Sequence, residues 1–277
     1  MTQIPPSTWL ATHGWQVADL SLTIASSLPC SWPGHMPYQH RIHNWFVDQP
    51  GLPDELVSPE GGYYTATLVM DEHVGTHFDA PSHRIAPSGS GLPDAGPAGD
   101  VYADQVALTD FMGPAKVLDL RHLADPAGGT PGVSRYATAA DVEAFEAAHG
   151  PIEPGDIVLI RSDWDVLHYK AGEAGLAYVA WPRQGKSLGW PAPDVSFIDA
   201  LADRGVRCTG SDSPSMGSVH DGAPAHFAAL SRGMSFIEGL GGLAALPPVG
   251  ALFAFLGLKL RGGSGAPGRA IGLVPAG

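Results

Sequence analysis

What most constrains the fold of this 277-residue chain is the way 36 glycines and 26 prolines are distributed along it. They fall between short periodic segments rather than in one tract, which reads as many tight loops in a compact fold without an interdomain linker. No internal repeat appears at the usual solenoid periods. A single domain over residues 1–277 is therefore expected. Between the breaks lie short β-branched or apolar runs that predict strands: residues 17–23, 115–120, 156–161, 205–210 and 251–255. Helices are fewer. Thr138 is a good N-cap for 139–149, where Val142, Phe145 and Ala148 share a face before Gly150-Pro151. Asp194 or Ser196 can start a second helix carrying Phe197, Ile198 and Leu201, and residues 223–232 predict a third, closed by Gly233. Strands outnumber helices and the two interleave, which points to an α/β domain with a mixed sheet.

An apolar fraction of 44% with 16% charged residues is that of a folded globular protein. The 28 acidic against 15 basic residues give a net charge of −13, which argues against nucleic acid or an anionic membrane as partner. Cys30 and Cys208 form no CxxC pair and no disulfide framework, so both read as buried free thiols in a reducing compartment. Residues 1–13 lack the basic and apolar regions of a secretion signal. The longest apolar run, 251–258, falls far short of the ~20 residues of a membrane span. The expectation is a cytoplasmic protein acting on a small molecule.

The chemistry concentrates in His73-Val-Gly-Thr-His77-Phe-Asp79-Ala-Pro-Ser-His83. Three imidazoles and a carboxylate stand four, two and four positions apart. Gly75 and Pro81 disfavour a regular helix, but even spacings also project to one side of an extended chain, so the four groups can converge. Imidazole and carboxylate without thiolate suit zinc, manganese or iron in an open, catalytic site rather than a closed structural one. A metal there activates water, and a neighbouring imidazole that is not a ligand can move protons. Farther along, Glu238 ends the apolar run 234–237, where a buried carboxylate is costly unless it meets a cation, and His226 is the best distant imidazole. No Gly-x-Ser-x-Gly elbow supports a serine hydrolase.

The pattern His73-x-Gly75-Thr76-His77-x-Asp79-x-Pro81-x-His83 resembles the signature of the cyclase-like metal hydrolases, which include bacterial kynurenine formamidase and isatin hydrolase. Asp19-Leu20-Ser21, Trp32-Pro33-Gly34 and Gly210-Ser211-Asp212-Ser213-Pro214-Ser215 resemble further segments of that family, in the expected order. The resemblance implies a swivelling β/β/α domain, assembled as a dimer or larger homo-oligomer. It implies that His73, His77 and Asp79 bind one divalent metal, with Asp79 bridging to a second held by His226 and Glu238. It implies His83 as proton donor and acceptor, and Trp32 packing on an aromatic substrate. Phe78 and Ser213 are further candidates for substrate contact. The extra sequence over 168–193, with Trp181 and Trp190, and the Asp71-Glu72 pair look more like the isatin-hydrolase branch, where one metal rather than two is implied. The expected cofactor is manganese or zinc, one or two ions per chain, and the expected reaction is hydrolysis of a lactam or aryl formamide. A lyase or cyclase working through an enolate and a non-catalytic metal-binding protein are the rival readings.

Overall fold

The computed structural model describes residues 8–51 and 56–276, with only the backbone of residues 8 and 9. Residues 1–7 of the stretch read for a secretion signal therefore lie outside the described residues. Among the described residues twelve strands are present: β1 (Trp15–Asp19), β2 (Gln39–Asn44), β3 (Thr65–Val69), β4 (His77–Asp79), β5 (Met112–Asp119) and β6 (Tyr136–Ala137) in the first half. The second half adds β7 (Ile157–Arg161), β8 (Ala192–Pro193), β9 (Cys208–Ser211), β10 (Ser235–Glu238), β11 (Leu252–Gly257) and β12 (Gly265–Pro275). The helices are α1 (Thr8–Thr12), α2 (Ala139–His149), α3 (Trp164–His168), α4 (Ala180–Arg183), α5 (Val195–Asp203) and α6 (Ala223–Leu230), with short 3-10 turns between them.

Eight strands form one mixed sheet in the order β1-β12-β11-β5-β7-β9-β10-β4, and β4 pairs again with β12. That last pairing closes seven strands into a barrel. It is possible because β12 is eleven residues long: its start pairs with β4, and its end pairs with β1. The middle pairs β5–β7–β9–β10 are parallel and the remainder antiparallel. The mixed sheet agrees with the α/β expectation.

Both faces of the central strands are buried, and their side chains alternate between two cores, as a two-residue period requires. On β7, Ile157 and Leu159 join Phe78, Phe111, Ile237 and Phe255 in one cluster. Val158 and Ile160 face the other way, against Val142 and Phe145 of α2, Phe197, Ile198 and Leu201 of α5, and Leu230 of α6. The helices start where the sequence predicts. Asp194, rather than Ser196, caps α5 by accepting the Phe197 N–H at 2.9 Å. Arg204, just past α5, grips Glu146 of α2 through two bonds of 2.7 and 2.6 Å, which fixes the two helices side by side. A third cluster gathers Trp164, Tyr178, Val179 and Trp190, so the segment 168–193 is folded against the barrel end and contributes its own core. Outside the barrel, β2 and β3 form a two-stranded arm with exposed Ile42, Tyr64 and Leu68. Among the described residues no helix is long and apolar enough to cross a membrane.

Candidate metal centre and active site

The short strand β4 sets the site. Its alternation sends Phe78 into the barrel core and turns His77 and Asp79 to the opposite face, as the even spacing predicts. Gly75 adopts φ +61°, a left-handed turn that suits glycine, and this turn brings His73 back beside His77. Just beyond β4, Pro81 opens the 3-10 turn Pro81–His83, which swings His83 over the same spot. Pairing with β10 sets Glu238 opposite His77, while α6 lowers His226 onto Glu238 and Asp79. Pairing with β12 sets Gly265 opposite Asp79, where an added Cβ would come within 2.7 Å of the His73 ring; the strand can pass there only without a side chain.

Asp79 is the centre of the cluster. Its Oδ1 lies 2.8 Å from His73 Nδ1 and 3.7 Å from His77 Nε2; its Oδ2 lies 3.4 Å from His226 Nε2 and 3.9 Å from His83 Nε2. Glu238 closes the ring, 3.4 Å from His77 and 3.3 Å from His226. Glu238 is also pinned by the Met216 N–H at 2.6 Å and the Ser215 hydroxyl at 3.2 Å. Asp79 has no such support. It is wholly buried, and despite the close nitrogens neither carboxylate oxygen has a partner in hydrogen-bonding geometry. An ionised carboxylate stripped of water and left so costs several kcal/mol. A divalent cation bound by oxygen and imidazole nitrogen is the group that removes this cost, so the residues present fit the expected metal.

Among the described residues two sets of donor atoms are close enough to hold an ion: His73, His77 and Asp79, and Asp79, His83 and His226. They share Asp79, as a bridging carboxylate would. Glu238 stands in neither set, although it touches His77 and His226.

Without a cation, the charges of the cluster are those of its own acids and imidazoles. Burial would lower His73, but Asp79 outweighs it and raises the imidazole to about 9. His226 is likewise opposed by burial and carried to about 10 by Asp79 and Glu238. His83 differs. Asp79 pulls it up, but burial together with His73 and His226 holds it below the ordinary histidine value. Its side chain is 35% exposed, against 5–13% for the other three imidazoles. A reachable imidazole whose proton is held less tightly than usual suits proton transfer.

Hydrogen bonds at the far ring nitrogens fix three of the four tautomers. His77 Nδ1 faces the Gly75 carbonyl at 3.0 Å and His226 Nδ1 faces the Gly222 carbonyl at 2.9 Å. A carbonyl only accepts, so in the neutral ring that can bind a metal each Nδ1 carries the proton and each Nε2 presents its lone pair to the centre. For His73 the partner is Ser264, whose Oγ lies 2.9 Å from Nε2 and donates to Glu72 at 2.6 Å. The single hydroxyl proton is committed to Glu72, so Ser264 accepts from His73 Nε2, and in the neutral ring Nδ1 presents its lone pair toward Asp79. His83 has no such anchor. Loss of an outer partner of this kind typically costs ~10–100-fold in metal affinity. Ser264→Ala should therefore weaken metal binding by about that factor, read by titration of the stripped protein with zinc or manganese. Unchanged affinity would remove the Glu72–Ser264 pair from the account.

The cluster forms the floor of a cavity of about 430 Å³. Trp32 and Trp190 wall it, edge to face with ring centroids 5.8 Å apart. Trp32 lines the cavity, whereas Phe78 and Ser213, the other substrate contacts read from the sequence, do not. Phe78 is 2% exposed and packs with Phe111 and Phe255, because its neighbours on β4 occupy the site face. Ser213 is fully buried and donates to the Pro191 carbonyl at 2.8 Å, bracing the loop that carries Ser215.

The pattern of the family described as "Putative cyclase" matches residues 18–218 of this sequence. The chain belongs to that cyclase family. An isatin hydrolase from Roseibium aggregatum is 33% identical over 216 residues, 75% of this chain and 74% of that protein. A kynurenine formamidase from Salinibacter ruber is 29% identical over 213 residues, 76% of this chain and 81% of that protein. Among solved structures, an isatin hydrolase bound to the product analogue thioisatinate superposes with a TM-score of 0.74 at 25% identity, covering 97% of this chain and 95% of that one. Isatin hydrolase A from Ralstonia solanacearum gives 0.73 at 25% identity, covering 99% and 98%.

Within this cyclase-family chain, several site residues carry no signal that sequence reading can use. Ser264 sits in Gly262-Gly-Ser-Gly265, which looks like a turn, and nothing links it to Glu72 until β12 pairs beside β4. Arg84 follows the motif, and Arg183 comes from the 168–193 segment; both reach the cavity only through the fold.

Proposed function

We propose that this chain hydrolyses the C–N bond of a small aromatic amide, a lactam of the isatin type or an aryl formamide, with a divalent manganese or zinc ion. The observation that carries the proposal is Asp79, a fully buried carboxylate without a hydrogen-bond partner, ringed by imidazoles at the floor of a tryptophan-walled cavity. Similarity to an isatin hydrolase and a kynurenine formamidase supports the substrate class. His73, His77 and Asp79 would hold the ion, with His226 and Glu238 completing a second position if two are bound. When bound, the metal polarises the substrate carbonyl and makes water a nucleophile near neutral pH.

The chain's own residues supply the rest. Trp32 and Trp190 hold a flat ring over the cluster, and the indole N–H of Trp190 is fixed on the Gly217 carbonyl at 2.8 Å, so that wall is rigid. Glu238, held by two donors, keeps His77 and His226 aimed inward. His83 takes the proton released as water attacks the carbonyl carbon and returns it to the nitrogen as the C–N bond breaks. The test is turnover of isatin and formanilide in water enriched in heavy oxygen. Label in the product carboxylate or formate supports hydrolysis; turnover without label would transfer the site to the lyase or cyclase reading.

A further inference from the structure

The cavity holds an arginine whose charge nothing among the described residues answers. The chain has 28 acidic residues against 15 basic ones, and its arginines elsewhere are mostly closed onto acids. Arg121, Arg161, Arg204, Arg232 and Arg269 each meet a carboxylate at 2.5–2.7 Å. Arg183 does not. Among the described residues no carboxylate or carbonyl accepts from its guanidinium; its sole contact of note is the face of Trp32, 5.1 Å from the ring centroid. Arg84, on the same cavity, stands 5.9 Å from the Phe227 ring and reaches only Asp94, at 4.0 Å.

This arrangement has a chemical meaning. A guanidinium resting on an indole keeps its planar fork of five N–H donors free, in the shape that binds a carboxylate through two parallel bonds. Arg183 ends α4, and its backbone N–H is tied to the Val179 carbonyl at 3.2 Å, so the side chain leaves from a fixed point in the folded 168–193 segment. Trp32 meets Trp190 edge to face, and both wall the cavity whose floor is the histidine cluster. Arg183 lines the same cavity as Trp32, Trp190 and the histidine cluster, so an aromatic ring held on this wall lies within reach of its guanidinium. The acidic surface repels anions at long range, so a cationic rim over a cluster of imidazoles is where an anionic ligand finds compensation.

We infer that the cavity selects an aromatic ligand carrying an anionic group, a carboxylate, with Arg183 as the specificity-determining donor and Arg84 as a second positive charge. That the ligand is an amide rests on the hydrolase reading above; the preference for an anion does not.

The test is a fluorescence titration of anthranilate and of its neutral amide, anthranilamide, into both metal-stripped and metal-loaded protein. The stripped form removes direct carboxylate–metal contact from the comparison. The acid should bind about tenfold more tightly than the amide to both forms, a difference that one charge-assisted pair supplies and that salt reduces. Arg183→Gln should close most of the gap, leaving only the smaller contribution of Arg84, and Arg183→Lys should restore part of it. Equal binding of the two ligands by the unaltered stripped protein overturns the inference, as does a preference that Arg183→Gln leaves undiminished. Kinetics separates this result from the parent reading. N-formylanthranilate should show a lower KM than formanilide, whereas no turnover of either compound would count against the hydrolase and leave the binding preference standing.

Discussion

Asp79→Asn should purify with little or no metal. The carboxylate is the one group shared by both candidate donor sets, and it stands within 4 Å of all four imidazoles. The amide is nearly isosteric but carries no charge, and it replaces one acceptor oxygen with an N–H donor group that repels a cation. Loss of an outer-sphere partner already costs ~10–100-fold in affinity, so losing a shared inner ligand should cost more than that range. Elemental analysis of protein purified without chelator, with metal titration of the stripped form, reads the effect directly. Circular dichroism establishes that the variant is folded. Full metal occupancy in Asp79→Asn would reject Asp79 as a ligand and with it the explanation of the buried, unpartnered oxygens.

His83→Ala should lower kcat by roughly 10²–10⁴-fold, the usual contribution of a positioned acid or base, while metal content stays near that of the unaltered protein. The two effects separate because of how His83 is held. His73, His77 and His226 each have a partner that orients the far nitrogen, whereas His83 has none and keeps a third of its side chain open to the cavity. A ligand gains from a fixed ring; a proton carrier gains from one that can turn between water and leaving group. His83 Nε2 nevertheless stands close enough to Asp79 and His226 to complete a donor set. The metal count therefore decides. Loss of one equivalent of metal in His83→Ala would make this residue a ligand of a second ion and leave the proton transfer to another group.

Much of the centre was legible because it is local. His73, His77, Asp79 and His83 lie within eleven residues, so one glycine turn, three residues of strand and one 3-10 turn bring them together. The odd member of β4, Phe78, went the other way for the same reason. Its aromatic side chain invited a role in substrate binding, but two-residue alternation commits it to the core once its neighbours face the site. Glu238 was legible by energy rather than by pattern, since a carboxylate closing an apolar strand has to meet a cation or a donor, and here it meets His226, His77 and two donors besides. Ser213 was misread because a hydroxyl in a Pro-containing turn looks the same whether it faces a ligand or a carbonyl.

Sequence by itself determined the alternation of the strands, the starts of α2 and α5, and the identity of the local metal motif, because each depends on residues only a few positions apart. Tertiary structure alone decided that β12 runs beside β4 and closes the barrel, that Ser264 sets the His73 tautomer across 191 residues of chain, and that Arg183 stands unpaired on Trp32 at the cavity. Those contacts join groups whose separation along the chain carries no periodic signal, and whose meeting depends on which strand edges pair. Strand pairing follows from the burial of whole faces, a sum over many residues, so it emerges only when the complete chain is packed.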